Sequence, residues 1–300
     1  MRVVTYTRGA GPRAGLLVED TVYDAETSAS FFRAASLPAD LGAILEGGGG
    51  PALRDLDTRI RDARHSGADL PLTCWAGIGE IRLAAPLARP PKIMCLGLNY
   101  RDHAEEQGAK LPETPLIFAK LPSSVIGPGQ PIVIPREFDR VDYEGELALV
   151  IGRRIRRATP EQALEAVFGY TILNDVTERA LQNRERFWLE AKGSDTFAPM
   201  GPWIVTGDEL GDPLNLKITT SVNSRVVQSS STANLVFTPA RIIARLSEHI
   251  TLEPGDVIST GTPGGVGVFR KPPVFLKAGD TVEVTIEGIG TLASPVVREA

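Results

Sequence analysis

Along most of this chain the apolar residues arrive in short alternating runs, rich in Val, Ile and Thr and closed off by Gly or Pro. That is the pattern of strands rather than of long helices. From residue 92 onward, runs at 93–97, 116–120, 132–134, 144–151, 169–174, 203–206, 216–222, 257–260 and 281–286 predict a succession of strands. Two helices are announced by their starts. Thr159-Pro160-Glu161-Gln162 and Thr238-Pro239 each set a capping threonine before a proline at the first helical position, and Gln162 adds a capping-box partner to Thr159. The heptad 252–258, which contains Pro254-Gly255-Asp256, is echoed by 276–282 with Ala278-Gly279-Asp280, two similar turns that each launch a strand. Many strands, few helices and no regular βα alternation predict a mixed, β-rich α+β fold built on a curled sheet or sandwich.

The first 70 residues read as a small separate α+β unit, with strand-like runs at 3–6 and 16–22 and helical stretches around Phe31 and over 53–63. Four glycines at 47–50 precede Pro51 and lack the Gly-Lys-Ser/Thr of a phosphate loop, so a plain loop is expected there. Residues 71–91, which end in Ala-Ala-Pro-Leu-Ala-Arg-Pro-Pro, read as a linker, and 92–300 as the main domain.

Within that frame the polar residues cluster in a few places. Asp142-Tyr143-Glu144-Gly145-Glu146 heads an otherwise apolar strand. Alternate residues of a strand share a face, so Glu144 and Glu146 project together on the face that continues into Ala148 and Val150. Crowded carboxylates that lose solvation take up a proton or share a cation; a solvated strand end is the alternative. Asp175 ends the 169–174 strand, where it either caps a helix or supplies a third carboxylate for a hard cation such as magnesium or manganese. In Asn99-Tyr100-Arg101-Asp102-His103-Ala104-Glu105-Glu106, Asn99 is a plausible helix N-cap and His103 and Glu106 fall three apart on one helical face, the spacing of an oriented base. Arg179 and Gln182 follow Asp175 at helical spacing and could reach an anionic substrate. Lys192 sits among small and aromatic residues that suit a lysine stabilising an enolate or oxyanion. The 259–267 turn, Ser-Thr-Gly-Thr-Pro-Gly-Gly-Val-Gly, offers successive backbone amides as an anion-binding nest, with the Thr262 hydroxyl as a further donor.

Composition narrows the class. Hydrophobic residues are 42 % of the chain and no apolar run is long enough to span a bilayer, which points to a soluble protein without a membrane partner. A charged start without a following apolar stretch gives no secretory signal, and the two cysteines, Cys74 and Cys95, lack metal-ligand spacing; both favour a reduced, cytoplasmic setting. A formal charge of -5 argues against nucleic acid as a partner.

Five blocks in order, Gly-Leu-Asn-Tyr-Arg-Asp-His-Ala-Glu-Glu, Asp-Tyr-Glu-Gly-Glu-Leu, Asn-Asp-Val-Thr-Glu-Arg-Ala-Leu-Gln, Ala-Lys-Gly-Ser-Asp-Thr-Phe and Ser-Thr-Gly-Thr-Pro-Gly-Gly-Val-Gly, resemble the fumarylacetoacetate hydrolase family. The resembling branch holds acylpyruvate hydrolases, 2-hydroxyhepta-2,4-diene-1,7-dioate isomerases and oxaloacetate decarboxylases. The resemblance spans roughly 92–297 and implies a β-roll or sandwich catalytic core, usually dimeric. It implies that Glu144, Glu146 and Asp175 bind Mg2+ or Mn2+, that His103 and Glu106 form a water-activating dyad on a lid helix, and that Lys192 is catalytic. Arg179, Gln182 and Thr262 match substrate-contacting positions. Between Asp175 and Lys192 the sequence departs from the family pattern at 183–188, where Asn-Arg-Glu-Arg-Phe-Trp stands. The expected activity is metal-dependent hydrolysis of a carbon–carbon bond in a 2,4-dioxo acid of acylpyruvate or fumarylpyruvate type, as in aromatic compound catabolism. The alternatives are isomerisation or decarboxylation of oxaloacetate-type or hydroxydienoic acids, and a non-catalytic metal-dependent binding protein.

Overall fold

The run Gly-Glu-Leu-Ala-Leu-Val-Ile becomes the Gly145–Ile151 strand, buried along its whole length. Leu147, Leu149 and Ile151 enter one hydrophobic cluster and Ala148 and Val150 another, so both faces are covered and the strand lies inside a sheet. This is seen in a computed structural model that describes residues 1–9, 11–184 and 188–300. Antiparallel neighbours flank the strand, Val167–Asn174 on one side and Val257–Ser259 on the other.

Outward from that centre the large sheet runs Trp75–Gly77, Thr21–Asp24, Pro12–Val18, Arg2–Thr7, Ala198–Thr206, Val167–Asn174, Gly145–Ile151, Val257–Ser259, Ile93–Gly97, Leu116–Lys120. A second sheet, ordered Arg225–Ser231, Lys217–Val222, Thr281–Ile286, Gly290–Arg298, Ile132–Ile134, packs against it through Leu147, Leu149 and Ile172 on one side and Ile218, Val284, Ile286 and Leu292 on the other. The β-rich mixed fold with a sandwiched core is therefore present.

The N-terminal segment is joined to this sheet. Arg2–Thr7 pairs antiparallel with Ala198–Thr206, placing Val3 opposite Ile204. Val3, Leu16, Leu53 and Leu56 share a cluster with Ile93, Cys95, Ala148 and Val150. The stretch expected to be a linker carries two strands, Trp75–Gly77 and Arg82–Ala84, which pair with Thr21–Asp24 and Arg2–Thr7. Residues 47–49 join the Leu41–Glu46 and Gly50–His65 helices, and Gly50, expected in the loop, opens the second of them.

Local signals fare unevenly. Thr159 and Gln162 make the capping box of the Pro160–Leu164 helix, whereas Thr238 takes the cap position of Pro239–Ser247 without a side-chain bond. Both echoed turns use one device: the Asp256 and Asp280 carboxylates accept from the Glu253 and Lys277 amides at 2.7 and 2.8 Å. Cys74 and Cys95 are buried free thiols. Among the described residues, no helix is long and apolar enough to cross a membrane.

Candidate active site

Strand register assembles the acids. Gly145 pairs with Asn174, so the residues just beyond, Glu144 and Asp175, meet where the two strands part. The Asp175 amide donates to the Glu144 carbonyl at 2.8 Å, and the Glu144 amide to the Asn174 side chain at 3.0 Å. Glycine at 145 is required by close approach: a Cβ there would stand 2.3 Å from Thr220 Oγ1. Glu146 points to the other neighbour, where the Ser259 hydroxyl and the Gly261 amide donate to its Oε2, the latter at 2.9 Å. Glu144, Glu146 and Asp175, exposed to 5 %, 1 % and 0 %, thus offer carboxylate oxygens that all lie within 4.8 Å of one another.

Three buried cations face these acids. Lys192, on the Leu189–Gly193 helix, bridges Glu144 Oε2 at 2.9 Å and Asp175 Oδ2 at 2.6 Å. Arg179, opening the Arg179–Arg184 helix, reaches Glu144 Oε1 at 2.7 Å and Asp142 Oδ2 at 2.8 Å, and donates to Gln182 Oε1 at 2.8 Å. Lys120 binds Asp175 Oδ1 at 2.6 Å and the Val176 carbonyl at 3.1 Å. Asp175 therefore caps no helix; its carboxylate lies between two lysines.

The electrostatic outcome separates the two glutamates. Burial opposes ionisation of Glu144, but the charges of Lys192 and then Arg179 outweigh it and hold the carboxyl down to about 2. For Glu146 burial comes first, and the charges of Asp175 and Glu144 add to it, pushing the group well above the ordinary carboxylate range. Its Oε1 is buried and without a hydrogen-bond partner among the described residues. A divalent cation seated among hard oxygens answers that orphaned atom, so the donor set fits magnesium or manganese. Lys192 is held above its usual range: burial works against its charge, and Asp175 and Glu144 overcome that.

His103 and Glu106 come side by side as their spacing predicts. His103 lies buried on the Arg101–Gln107 helix with Nδ1 3.4 Å from Glu106 Oε1, and Phe269 meets the ring edge-on at 6.0 Å between centroids. Asn99 is not the cap of this helix; Tyr100 takes that position, while the Asn99 amide spans the Phe237 and Thr260 backbones.

The glycine-rich turn binds anions, but they are the protein's own. The Gly264 and Gly265 amides donate to Asp102 and Glu106 of the His103 helix, and those of Gly267 and Val268 donate to Asp142. Thr262 adds no free donor, because its hydroxyl donates to the Gly145 carbonyl at 3.1 Å and accepts from Gln228 at 2.8 Å. Thr262 still lines a cavity of about 360 Å³, with His103, Glu144, Arg179, Gln182 and Lys192. Leu98, Leu116, Phe118, Trp188 and Phe269 supply its apolar wall. Of the divergent stretch, Asn183 and Trp188 reach the cavity, and 185–187 lie outside the described residues.

Lys120, Asp142 and Gln107 belong to this site and escape a reading of the sequence. Asp142 carried a signal, since it shares the period-two spacing of Glu144 and Glu146. Lys120 carried none, for Leu116 and Ile117 of its strand are exposed while the lysine is buried.

A family model described as the C-terminal region of fumarylacetoacetate (FAA) hydrolase matches residues 92–297. The mitochondrial oxaloacetate tautomerase fahd2 of Xenopus laevis is 49 % identical over 220 residues, 73 % of this chain and 69 % of that protein. A 2-hydroxyhepta-2,4-diene-1,7-dioate isomerase from Mycobacterium marinum superposes with a TM-score of 0.76 at 33 % identity, covering 100 % of this chain and 99 % of the other. A maleylpyruvate hydrolase from Sphingobium sp. SYK-6, solved with manganese(II) and pyruvate, superposes over 100 % of both chains with a TM-score of 0.77 at 30 % identity.

Proposed function

Because the chain belongs to the fumarylacetoacetate hydrolase family, we propose that it is a metal-dependent tautomerase of a small 2-oxo dicarboxylic acid of the oxaloacetate type. One observation carries this reading: a single cavity of about 360 Å³ is lined by a histidine base, two cations and an acid fitted to a divalent metal. The tautomerase relative adds support for proton transfer over bond cleavage.

A divalent cation held by Glu144, Glu146 and Asp175 would supply Lewis acidity that polarises a 2-oxo group. Arg179 and Lys192 present positive charge to the substrate carboxylates. His103 takes a proton from the carbon next to the 2-oxo group at Nε2 and returns it to the oxygen, so atoms and charge balance and no carbon–carbon bond breaks. Glu106 fixes the ring and stabilises the imidazolium formed midway. Leu98, Leu116, Phe118, Trp188 and Phe269 offer an apolar wall to the rest of the substrate.

A second reading, hydrolysis of an acylpyruvate, draws on the likeness to the maleylpyruvate hydrolase and on the same dyad. One assay separates them. With Mg2+ or Mn2+ added, the protein is expected to speed ketonisation of enol-oxaloacetate above a chelator control, and His103→Ala to remove the gain. Cleavage of acetylpyruvate to pyruvate and acetate at a rate exceeding that tautomerisation would establish the hydrolase instead.

A further inference from the structure

The two ring nitrogens of His103 are differently placed. Nδ1 is buried 3.4 Å from Glu106 Oε1 and makes no hydrogen bond among the described residues. Nε2 lies 2.7 Å from the carboxamide nitrogen of Gln107, four residues on at the end of the same helix. A carboxamide nitrogen only donates, so Nε2 accepts, and the ring is the neutral tautomer carrying its proton on Nδ1 toward Glu106. Gln107 lines the same cavity as His103, Glu144, Arg179 and Lys192.

An imidazole nitrogen holds one in-plane lone pair and takes one strong hydrogen bond. A water to be activated for hydrolysis must give its proton to that lone pair, so the water and the Gln107 amide exclude each other. A bound 2-oxo acid is in another position, because its contacts with Arg179 and Lys192 provide binding energy to displace the amide. Once Nε2 has gained a proton from carbon, the carboxamide can turn to present its oxygen to the new N–H.

Resting on the tautomerase reading above, we propose that Gln107 is a specificity-determining positioning residue. It holds the His103 Nε2 lone pair against water, so the imidazole exchanges protons with bound substrate and does not generate the nucleophile that carbon–carbon hydrolysis needs.

The test uses the full chain loaded with Mg2+ and two variants, Gln107→Ala, which opens the water position, and Gln107→Met, which keeps the length but cannot donate. Hydrolysis of acetylpyruvate, tautomerisation of oxaloacetate and the 15N signals of the His103 ring are measured for each. Gln107→Ala is expected to hydrolyse acetylpyruvate at least about tenfold faster than the parent, within the range a freed general base supplies. In both variants the ring signals are expected to move from the Nδ1–H form toward a mixture, and kcat for oxaloacetate to fall more than KM changes. No gain in hydrolysis in folded Gln107→Ala overturns the proposal whatever the ring signals show. A gain with unmoved ring signals overturns it too, because the effect would then not pass through His103. Should the parent fail to tautomerise oxaloacetate, the function proposed above falls, while the hydrolysis ratio and the ring signals still decide the role of Gln107.

Discussion

Glu146 shows most directly what a buried carboxylate requires. Glu144 and Asp175 have both oxygens engaged by buried cations, while among the described residues Glu146 has donors only at Oε2. With its folded value raised, the metal-free native state keeps a proton that the unfolded chain has already lost. Stability of the metal-free protein therefore falls as pH rises from the ordinary carboxylate range toward that raised value, and a bound divalent cation reverses the loss. Glu146→Gln keeps the shape and removes the charge. It is expected to hold or raise the melting temperature of chelator-treated protein at pH 7.5 and to abolish the stabilisation that Mg2+ or Mn2+ gives the parent. A variant that still gains stability from the metal would remove Glu146 from the ligand set. The shared face of Glu144 and Glu146 was legible because spacing along a strand is local information, whereas Asp175 joined them only through the family resemblance. Lys120 was not, since its burial depends on Asp175 from a distant strand and runs against the hydrophobic pattern of its own.

At the scale of elements, the 261–268 turn and the His103 helix act as a pair. The sequence shows a run of amides able to hold an anion, yet not which anion, and the structure fills the run with Asp102, Glu106 and Asp142. The turn thereby positions the base rather than meeting the substrate. Gly265 is the point where this can be broken: its φ is +104°, and a Cβ would stand 2.2 Å from the Val227 carbonyl oxygen. Gly265→Ala is expected to cost roughly 1–3 kcal/mol for the backbone conformation alone, read as a lower melting temperature. It should also lower turnover by displacing the amide that holds Glu106, while the Mg2+ affinity measured by calorimetry stays near that of the parent. A large loss of metal affinity would show that the turn supports the acids instead. Asn99 failed as a cap for a related reason, since its side chain satisfies two remote backbone segments and is not free to serve its own helix.

Over the whole molecule, what the sequence hides is the continuity between its two ends of the large sheet. The alternating runs show where strands form but not that residue 3 lies opposite residue 204, because long-range pairing leaves no trace in local periodicity. Composition at 71–91 suggested a tether, and within that stretch residues 75–77 and 82–84 pair with strands of the first 70 residues. The family model begins at residue 92, yet the strand that carries Glu146 packs its Ala148 and Val150 into a cluster with Leu16 and Leu53. A shared cluster couples the stability of both parts. Leu16→Ala, at a fully buried position, is expected to cost roughly 2–5 kcal/mol and to lower one unfolding transition detected alike by far-UV dichroism and tryptophan fluorescence. Mg2+ would then raise the melting of the N-terminal residues together with the rest, because they unfold with the strand that bears the ligands. Two separate transitions, with only the later one shifted by Mg2+, would instead show residues 1–70 to be an independent domain resting on the sheet.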